Sequence, residues 1–307
     1  MILCVSLNPC LEVNIEVDSL AVGKTHKVIS KHTYLTGKAL NIAVGIKRLG
    51  ADSIASGFMH EENGRQFEQE LHREGVTYKF VWNKGKVREV YKFIDYRSML
   101  TEIVDEATPI EDDNLQALIN TVADLSSKCK AVVISGGCTD SLPQGYMERI
   151  LSVLPENVIK VIDTDGDKLV NLLSYGVDLV KPNLDELQKA LNVKITDKDS
   201  MLRACDTLVS KGAKRVLLSL GKNGAVITDG KSHYYCTSLN VAMNSTAGSG
   251  DAMVAAAAKA LSEGADLKDI LRCGVAAGTA AVTLPDTISF RREKYEELAP
   301  TLIVKEI

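Results

Sequence analysis

Ala131-Val132-Val133-Ile134-Ser135, Val158-Ile159-Lys160-Val161-Ile162-Asp163, Val177-Asp178-Leu179-Val180-Lys181 and Arg215-Val216-Leu217-Leu218-Ser219 follow one another along one stretch of the chain. Each run is short, nearly continuously apolar and rich in β-branched residues. That is how a strand reads when helices cover both faces of a parallel sheet. Helical spacing lies between and before these runs, at Leu202, Cys205, Leu208 and Val209 and at Leu115, Leu118, Ile119, Val122 and Leu125. Further out, Ile2 to Leu7 and Ser53 to Phe58 are strands of the same kind. The alternation predicts an α/β fold: a doubly wound, mostly parallel sheet flanked by helices.

Two stretches depart from this rhythm. Val13 to Asp18 alternates apolar and polar residues, as a half-exposed antiparallel strand does. Val87 to Asp95 and Leu100 to Asp105 read as a hairpin with its turn near Tyr96-Arg97-Ser98. Both predict a small β-sheet flap over one edge of the main sheet, although an ordinary antiparallel extension fits the same pattern. The chain shows no tandem repeat, low-complexity tract or long linker. The expectation is one domain over residues 1–307, with lid strands within 12–36 and 86–106.

Composition narrows the function. The 307 residues carry 36 Lys+Arg against 40 Asp+Glu, a formal charge of −4. No basic excess is available to neutralise nucleic-acid phosphates. The Ala-rich runs near 252–261 and 274–284 are too short for the roughly 20 apolar residues of a membrane span. Cysteines 4, 10, 129, 138, 205, 236 and 273 are odd in number and form no CxxC pair. They read as reduced thiols in a cytoplasmic protein. Met1 to Leu7 has no preceding basic region and runs into Asn8-Pro9, so it reads as a buried strand and not a secretory leader.

The sharpest chemical signal is Asn244-Ser245-Thr246-Ala247-Gly248-Ser249-Gly250-Asp251-Ala252-Met253-Val254, which runs into the helix former Ala255-Ala256-Ala257-Ala258. Gly248 and Gly250 let the backbone turn its N–H groups into one concavity at a helix N-terminus, where free donors and the helix dipole favour an anion. Asp251 in the first turn has a plain reading as a helix-start carboxylate. Its other reading is a base taking a proton from a hydroxyl that attacks a phosphate. The P-loop pattern GxxxxGK[ST] is absent, and Met253 stands where GxGxxG needs Gly or Ala. An NAD-dependent oxidoreductase is accordingly disfavoured.

Three weaker clusters accompany it. In Thr36-Gly37-Lys38-Ala39-Leu40-Asn41, a glycine opens a helix with Lys38 and Asn41 in its first turn, suited to sugar hydroxyls or a phosphate. In Lys181-Pro182-Asn183-Leu184-Asp185-Glu186, after a strand, Asn183 and Glu186 share a helix face. That pair could order a hydrated Mg²⁺, or it could be an N-cap with its partner at N3. In Ser219-Leu220-Gly221-Lys222-Asn223-Gly224 the glycines suit a loop against a nucleotide, or a plain turn.

In this order the clusters resemble the PfkB/ribokinase family of carbohydrate kinases, in particular its 1-phosphofructokinase and tagatose-6-phosphate kinase branch. Ser6-Leu7-Asn8-Pro9-Cys10-Leu11-Glu12 is similar to the branch's T-L-N-P-x-x-D, Val87-Arg88 to its T-R, Thr101-Glu102-Ile103 to its T-E-I, and Asp163-Thr164-Asp165-Gly166 to its D-T-S-G. The likeness covers nearly the whole chain. It implies a ribokinase-like sheet with a small β-sheet lid, with ATP and Mg²⁺ as cofactors. The acceptor it implies is a ketohexose phosphate, fructose 1-phosphate ahead of tagatose 6-phosphate.

By carry-over, Asp251 is the general base and also touches the substrate, and the amides of Ala247, Gly248, Ser249 and Gly250 form the anion hole. Lys181, Asn183, Glu186, Ser219, Gly221, Gly224 and Gly278 border ATP, with Asn183 and Glu186 reaching the metal through water. Glu12, Gly37, Lys38, Asn41 and Arg88 face the sugar phosphate. Homodimers through the lid occur in the family. Departures fall on the sugar side: Glu12 for Asp, Thr36 for Gly, Val90 and Val104 for Asn, and Gly137 for Ser. They predict an altered or relaxed acceptor. The alternatives are a kinase of a phosphate-free sugar or nucleoside, and a nucleotide-binding protein that has lost catalysis.

Overall fold

The computed structural model describes residues 1–307 apart from 98, 138–141, 165 and 285–289. In chain order the elements are β1 (Ile2–Ser6), β2 (Cys10–Val17), β3 (Val28–Thr36), α1 (Lys38–Arg48), β4 (Ser53–His60), α2 (Arg65–Arg73), β5 (Thr77–Asn83), β6 (Arg88–Ile94) and β7 (Leu100–Val104). There follow α3 (Asp112–Ser126), β8 (Ala131–Ser135), α4 (Tyr146–Ser152), β9 (Ile159–Asp163), α5 (Gly166–Leu172), β10 (Leu179–Val180), α6 (Leu184–Leu191), α7 (Lys198–Ser210) and β11 (Val216–Ser219). The chain ends with β12 (Ala225–Thr228), β13 (His233–Cys236), α8 (Ser249–Ser262), α9 (Leu267–Ala281), α10 (Arg292–Leu298) and β14 (Val304–Glu306).

The large sheet has ten strands in the order β14-β13-β12-β11-β10-β9-β8-β1-β4-β5. Every pairing from β5 to β11 is parallel, and β12, β13 and β14 close one side as antiparallel strands. The mostly parallel α/β sheet expected from the sequence is present. Period-two alternation along β1 sends Ile2 and Cys4 to one apolar layer and Leu3 and Val5 to the other. The first layer holds α1, α8 and α9, the second α3, α4 and α7. A fully buried Leu or Ile side chain contributes about 1.5–3 kcal/mol, so two such layers dominate the favourable side of folding.

The Ala-rich runs are explained by packing. Ala255 to Ala258 on α8 and Gly274, Ala276, Ala277, Gly278 and Ala280 on α9 are all buried, and the small side chains let the two helices approach closely. At Gly278 a Cβ would stand 3.3 Å from the Ser249 carbonyl oxygen. No helix among the described residues is long and apolar enough to cross a membrane.

A second sheet has four strands in the order β3-β2-β6-β7. The expected hairpin is β6 with β7, paired antiparallel. Of its expected turn, Ser98 lies outside the described residues, as do Cys138 and the Asp165 of the Asp163-Thr164-Asp165-Gly166 segment. β2 is antiparallel to β3 but parallel to β6, which hydropathy alternation cannot distinguish. Leu11, Val13, Ile15 and Val17 point to one face of β2 and are buried; Cys10, Glu12, Asn14 and Glu16 point to the other.

Candidate active site

The carboxyl ends of the central strands lie side by side. The register sets Ser6 beside Ser135 and Ser135 beside Asp163, and the pairing of Val180 with Ile162 brings Lys181 alongside Asp163. In open α/β sheets this edge, near the point where the strand order reverses at β1, is where ligands bind. Ser135 Oγ donates to Asp163 Oδ2 at 2.8 Å, and Lys181 Nζ lies 3.2 Å from Asp163 Oδ1. All three residues are buried.

Two helices begin at this edge. α8 starts from Gly248, whose φ of 76° is left-handed and costs glycine little. α1 starts from Gly37. Neither N-terminus has a side-chain cap, so first-turn donors face outward for an anion. Of the amides expected to form the hole, that of Ala247 donates to Ser245 Oγ at 3.2 Å and that of Ser249 to the Thr246 carbonyl at 3.4 Å. The amides of Gly248 and Gly250 make no hydrogen bond among the described residues.

The two helix starts meet through Asn41 and Asp251. Asn41 Nδ2 donates to Asp251 Oδ2 at 2.8 Å. Burial pushes the Asp251 carboxyl up to about 7, and the charge of Asp163 adds to the effect. Asn41, Lys38 and Lys181 pull the other way without cancelling it. Burial acts on Asp163 too, but Lys181, Lys38 and the Ser135 hydroxyl outweigh it and hold that carboxyl below its ordinary value. Two neighbouring acids are thus driven apart, one poised to exchange a proton near neutrality and one fixed as an anion.

Asn183 and Glu186 form a reciprocal cap on α6. Glu186 N–H donates to Asn183 Oδ1 and Asn183 N–H to Glu186 Oε2, both at 2.8 Å. The capping reading therefore holds, and it leaves Oε1 as the carboxylate oxygen not committed to the cap. Asn183 bridges to Ser219 at the end of β11, and the Ser219 N–H donates to the Pro182 carbonyl at 3.0 Å. Gly224 has φ 92°, and a Cβ there would stand 2.0 Å from the Cys236 carbonyl oxygen, so the loop after β11 is pressed onto β13. At Gly221 (φ 57°) a Cβ would meet open space. Gly250 faces Lys181, its Cβ direction 3.6 Å from Nζ.

The second sheet carries the remaining candidates. Register places Cys10 beside Arg88 and Glu12 beside Val90. Glu12 is buried and ion-paired to Lys92, Nζ to Oε2 at 2.7 Å; Lys92 also lies 3.6 Å from Glu102. Arg88 Nε is buried and makes no hydrogen bond among the described residues. Thr36 Oγ1 sits 2.9 Å from Cys10 Sγ at the root of the sheet.

Asn41, Asp251, Lys181 and the Gly248–Gly250 turn are thus brought together, with the charge of Lys38 acting on both acids. Glu12 is turned to Lys92, and Asn183 and Glu186 to each other. Sequence reading gave no role to Asp163, Ser135 or Lys92. Asp163 stood inside a segment noted only for its likeness. Lys92 shares the Arg88–Val90 side of its strand, a period-two signal visible in the sequence.

The comparisons with known proteins agree with this fold. The chain belongs to the pfkB family of carbohydrate kinases, whose pattern matches residues 3–294. It is 27% identical over 295 residues to a 1-phosphofructokinase of Borreliella burgdorferi, covering 96% of this chain and 95% of that protein. It is 25% identical over 311 residues to a tagatose-6-phosphate kinase of Staphylococcus epidermidis, covering 100% of both. The crystal structure of phosphofructokinase-2 from Escherichia coli in complex with substrates and products superimposes with a TM-score of 0.89, at 25% identity and 98% coverage of each chain.

Proposed function

We propose that the protein is an ATP-dependent sugar-phosphate kinase, with fructose 1-phosphate as the favoured acceptor and tagatose 6-phosphate next. The observation that carries this reading is Asp251: a buried carboxylate at a glycine-rich helix start, held on one oxygen by Asn41 and raised to about 7. A general base works best when its pKa lies near the working pH.

Asp251 Oδ1 takes the proton of the acceptor hydroxyl as that oxygen attacks the γ-phosphorus. The bond from the γ-phosphorus to the bridging oxygen breaks, ADP leaves, and Asp251 later releases the proton to solvent. Asn41 fixes Oδ2 and so aims Oδ1. The amides of Gly248 and Gly250 and the ammonium of Lys181 face the charge that spreads over the transferring group. Ser219, Gly221, Gly224 and Gly278 shape the nucleotide side. Lys38 and Arg88 suit the phosphate already on the sugar, and the buried, unpartnered Nε of Arg88 fits such a ligand.

Mg²⁺ keeps several waters and binds through one or two carboxylates plus substrate phosphates. No group of three or more Asp, Glu, His or Cys side chains among the described residues is placed to hold a metal ion by itself, and the Oε1 of Glu186 left out of the cap beside Asn183 fits a hydrated ion that arrives with the nucleotide. Bound there, Mg²⁺ neutralises the phosphate charge. We read the whole chain as one cytoplasmic kinase domain, the second sheet as its lid and homodimer surface.

Replacing Asp251 by Asn tests the reading. Turnover falls by roughly 10²-fold or more while ATP binding, followed by calorimetry, survives. Near-normal turnover removes Asp251 from the role.

A further inference from the structure

In phosphoryl transfer as derived above, Asp163 has no task, yet it is 2% exposed, touches Ser135 and Lys181 and feels the charge of Lys38. It ends β9, the strand between those that supply its partners. Ser135 ends β8 and holds Oδ2; Lys181 follows β10 and pairs with Oδ1. The Lys181 ammonium is itself nearly buried, at 6% exposure. An ammonium so placed needs a counter-charge, since an unpaired ion loses its hydration on burial with nothing to replace it. Two carboxylates compete for it. Asp251 is close enough to feel the charge of Lys181, but the contact is made with Asp163.

Lys181 Nζ is 3.2 Å from Oδ1, without the alignment of a directed hydrogen bond. Its N–H groups are therefore not all committed to the acid. Gly250 also lies against it, where a Cβ would be 3.6 Å from Nζ. The ammonium thus borders both a fixed anion and the turn whose Gly248 and Gly250 amides make no hydrogen bond among the described residues.

We propose that Asp163, seated on Ser135, is a positioning residue that holds the Lys181 ammonium against the Gly248–Asp251 turn, where it receives the transferring phosphoryl group, and keeps it from neutralising Asp251. The proposal rests on the kinase reading. A lysine paired to Asp251 would quench the base; a lysine paired to Asp163 leaves Asp251 Oδ2 to the Asn41 amide and keeps the ammonium at the donor side. Parallel register does the work, because β8, β9 and β10 deliver Ser135, Asp163 and Lys181 in one row.

The test combines Asp163→Asn, Lys181→Met and the double variant, each checked for folding by thermal melting. The first readout needs no acceptor: the ratio of affinities for the non-hydrolysable analogue AMP-PNP and for ADP, with Mg²⁺, by calorimetry. Lys181→Met lowers this ratio, Asp163→Asn lowers it alike, and the double variant is no worse than Lys181→Met. The second readout is turnover with fructose 1-phosphate. Asp163→Asn lowers kcat by about 10²-fold, as for a misplaced catalytic group, with acceptor KM nearly unchanged, and Asp163→Glu recovers part of it.

An unchanged ratio in Asp163→Asn, or losses that multiply in the double variant, overturns the proposal. Should Asp163→Asn fail to fold, Ser135→Ala loosens the same seat and lowers the ratio in the same direction; no change there overturns it as well. Wild-type enzyme that binds AMP-PNP but phosphorylates no sugar refutes the kinase reading instead, and the binding ratio still decides the role of Asp163.

Discussion

Asp251→Asn should make the protein more heat-stable as well as inactive, and the gain should grow with pH. Asp251 is 8% exposed, and burial with the nearby Asp163 charge raises its carboxyl from 3.8 to about 7. A carboxyl whose folded value lies above its unfolded one stabilises the fold while protonated. That contribution is complete below 3.8 and is lost as pH rises through about 7. Asparagine does not titrate, so the variant avoids the loss. The hydrogen bond from Asn41 changes character in the variant, but that offset is the same at every pH and cancels between two conditions. From about pH 5 to pH 8.5, roughly two units of this titration are traversed, at 1.36 kcal/mol each, so the stability gap should widen by about 3 kcal/mol. For a chain of this size that is a shift of about 4–5 °C between the two melting curves. Scanning calorimetry of both proteins at the two pH values measures it. A gap that stays constant, or closes with rising pH, refutes the assignment of Asp251 as a buried, strained anion at neutral pH.

The same titration governs the rate. With Asp251 as base, kcat/KM should fall about tenfold per pH unit below about 7 on its acid limb; a profile flat from pH 5 to 8 contradicts this. Gly224→Ala should destabilise the protein by roughly 2–4 kcal/mol, because its Cβ would meet the Cys236 carbonyl at 2.0 Å with φ at 92°. Urea unfolding with an unchanged midpoint contradicts the close approach of the β11 loop to β13.

Buried parallel strands announced themselves, since β1, β4, β8 and β9 must be apolar on both faces. β3 did not. Its residues are largely exposed and its β propensity is diluted by Ser30, Lys31 and His32, so pairing with β2 is what makes it a strand. The short antiparallel strands β12, β13 and β14 likewise depend on each other for their register. In the site, the glycine turn and Asp251 were legible because helix start, small residues and acid are adjacent in sequence. Asp163 and Lys181 were not legible as a pair, because what joins them is the register of β9 and β10. Lys92 and Glu12 meet only because β2 and β6 run parallel, so Glu12 could be read as a ligand residue but not as half of an ion pair. Asn183 and Glu186 fit a cap and a metal-ordering pair equally in sequence, and the structure shows the cap.

The central claim is ATP-dependent phosphorylation of a sugar phosphate, and ADP release across a panel of acceptors tests it most directly. The panel holds fructose 1-phosphate, fructose 6-phosphate, tagatose 6-phosphate, fructose and ribose, with Asp251→Asn alongside. Turnover with a ketohexose phosphate, highest for fructose 1-phosphate and lost in the variant, is the predicted result. ADP release with none of the five, from enzyme that binds ATP, contradicts the claim.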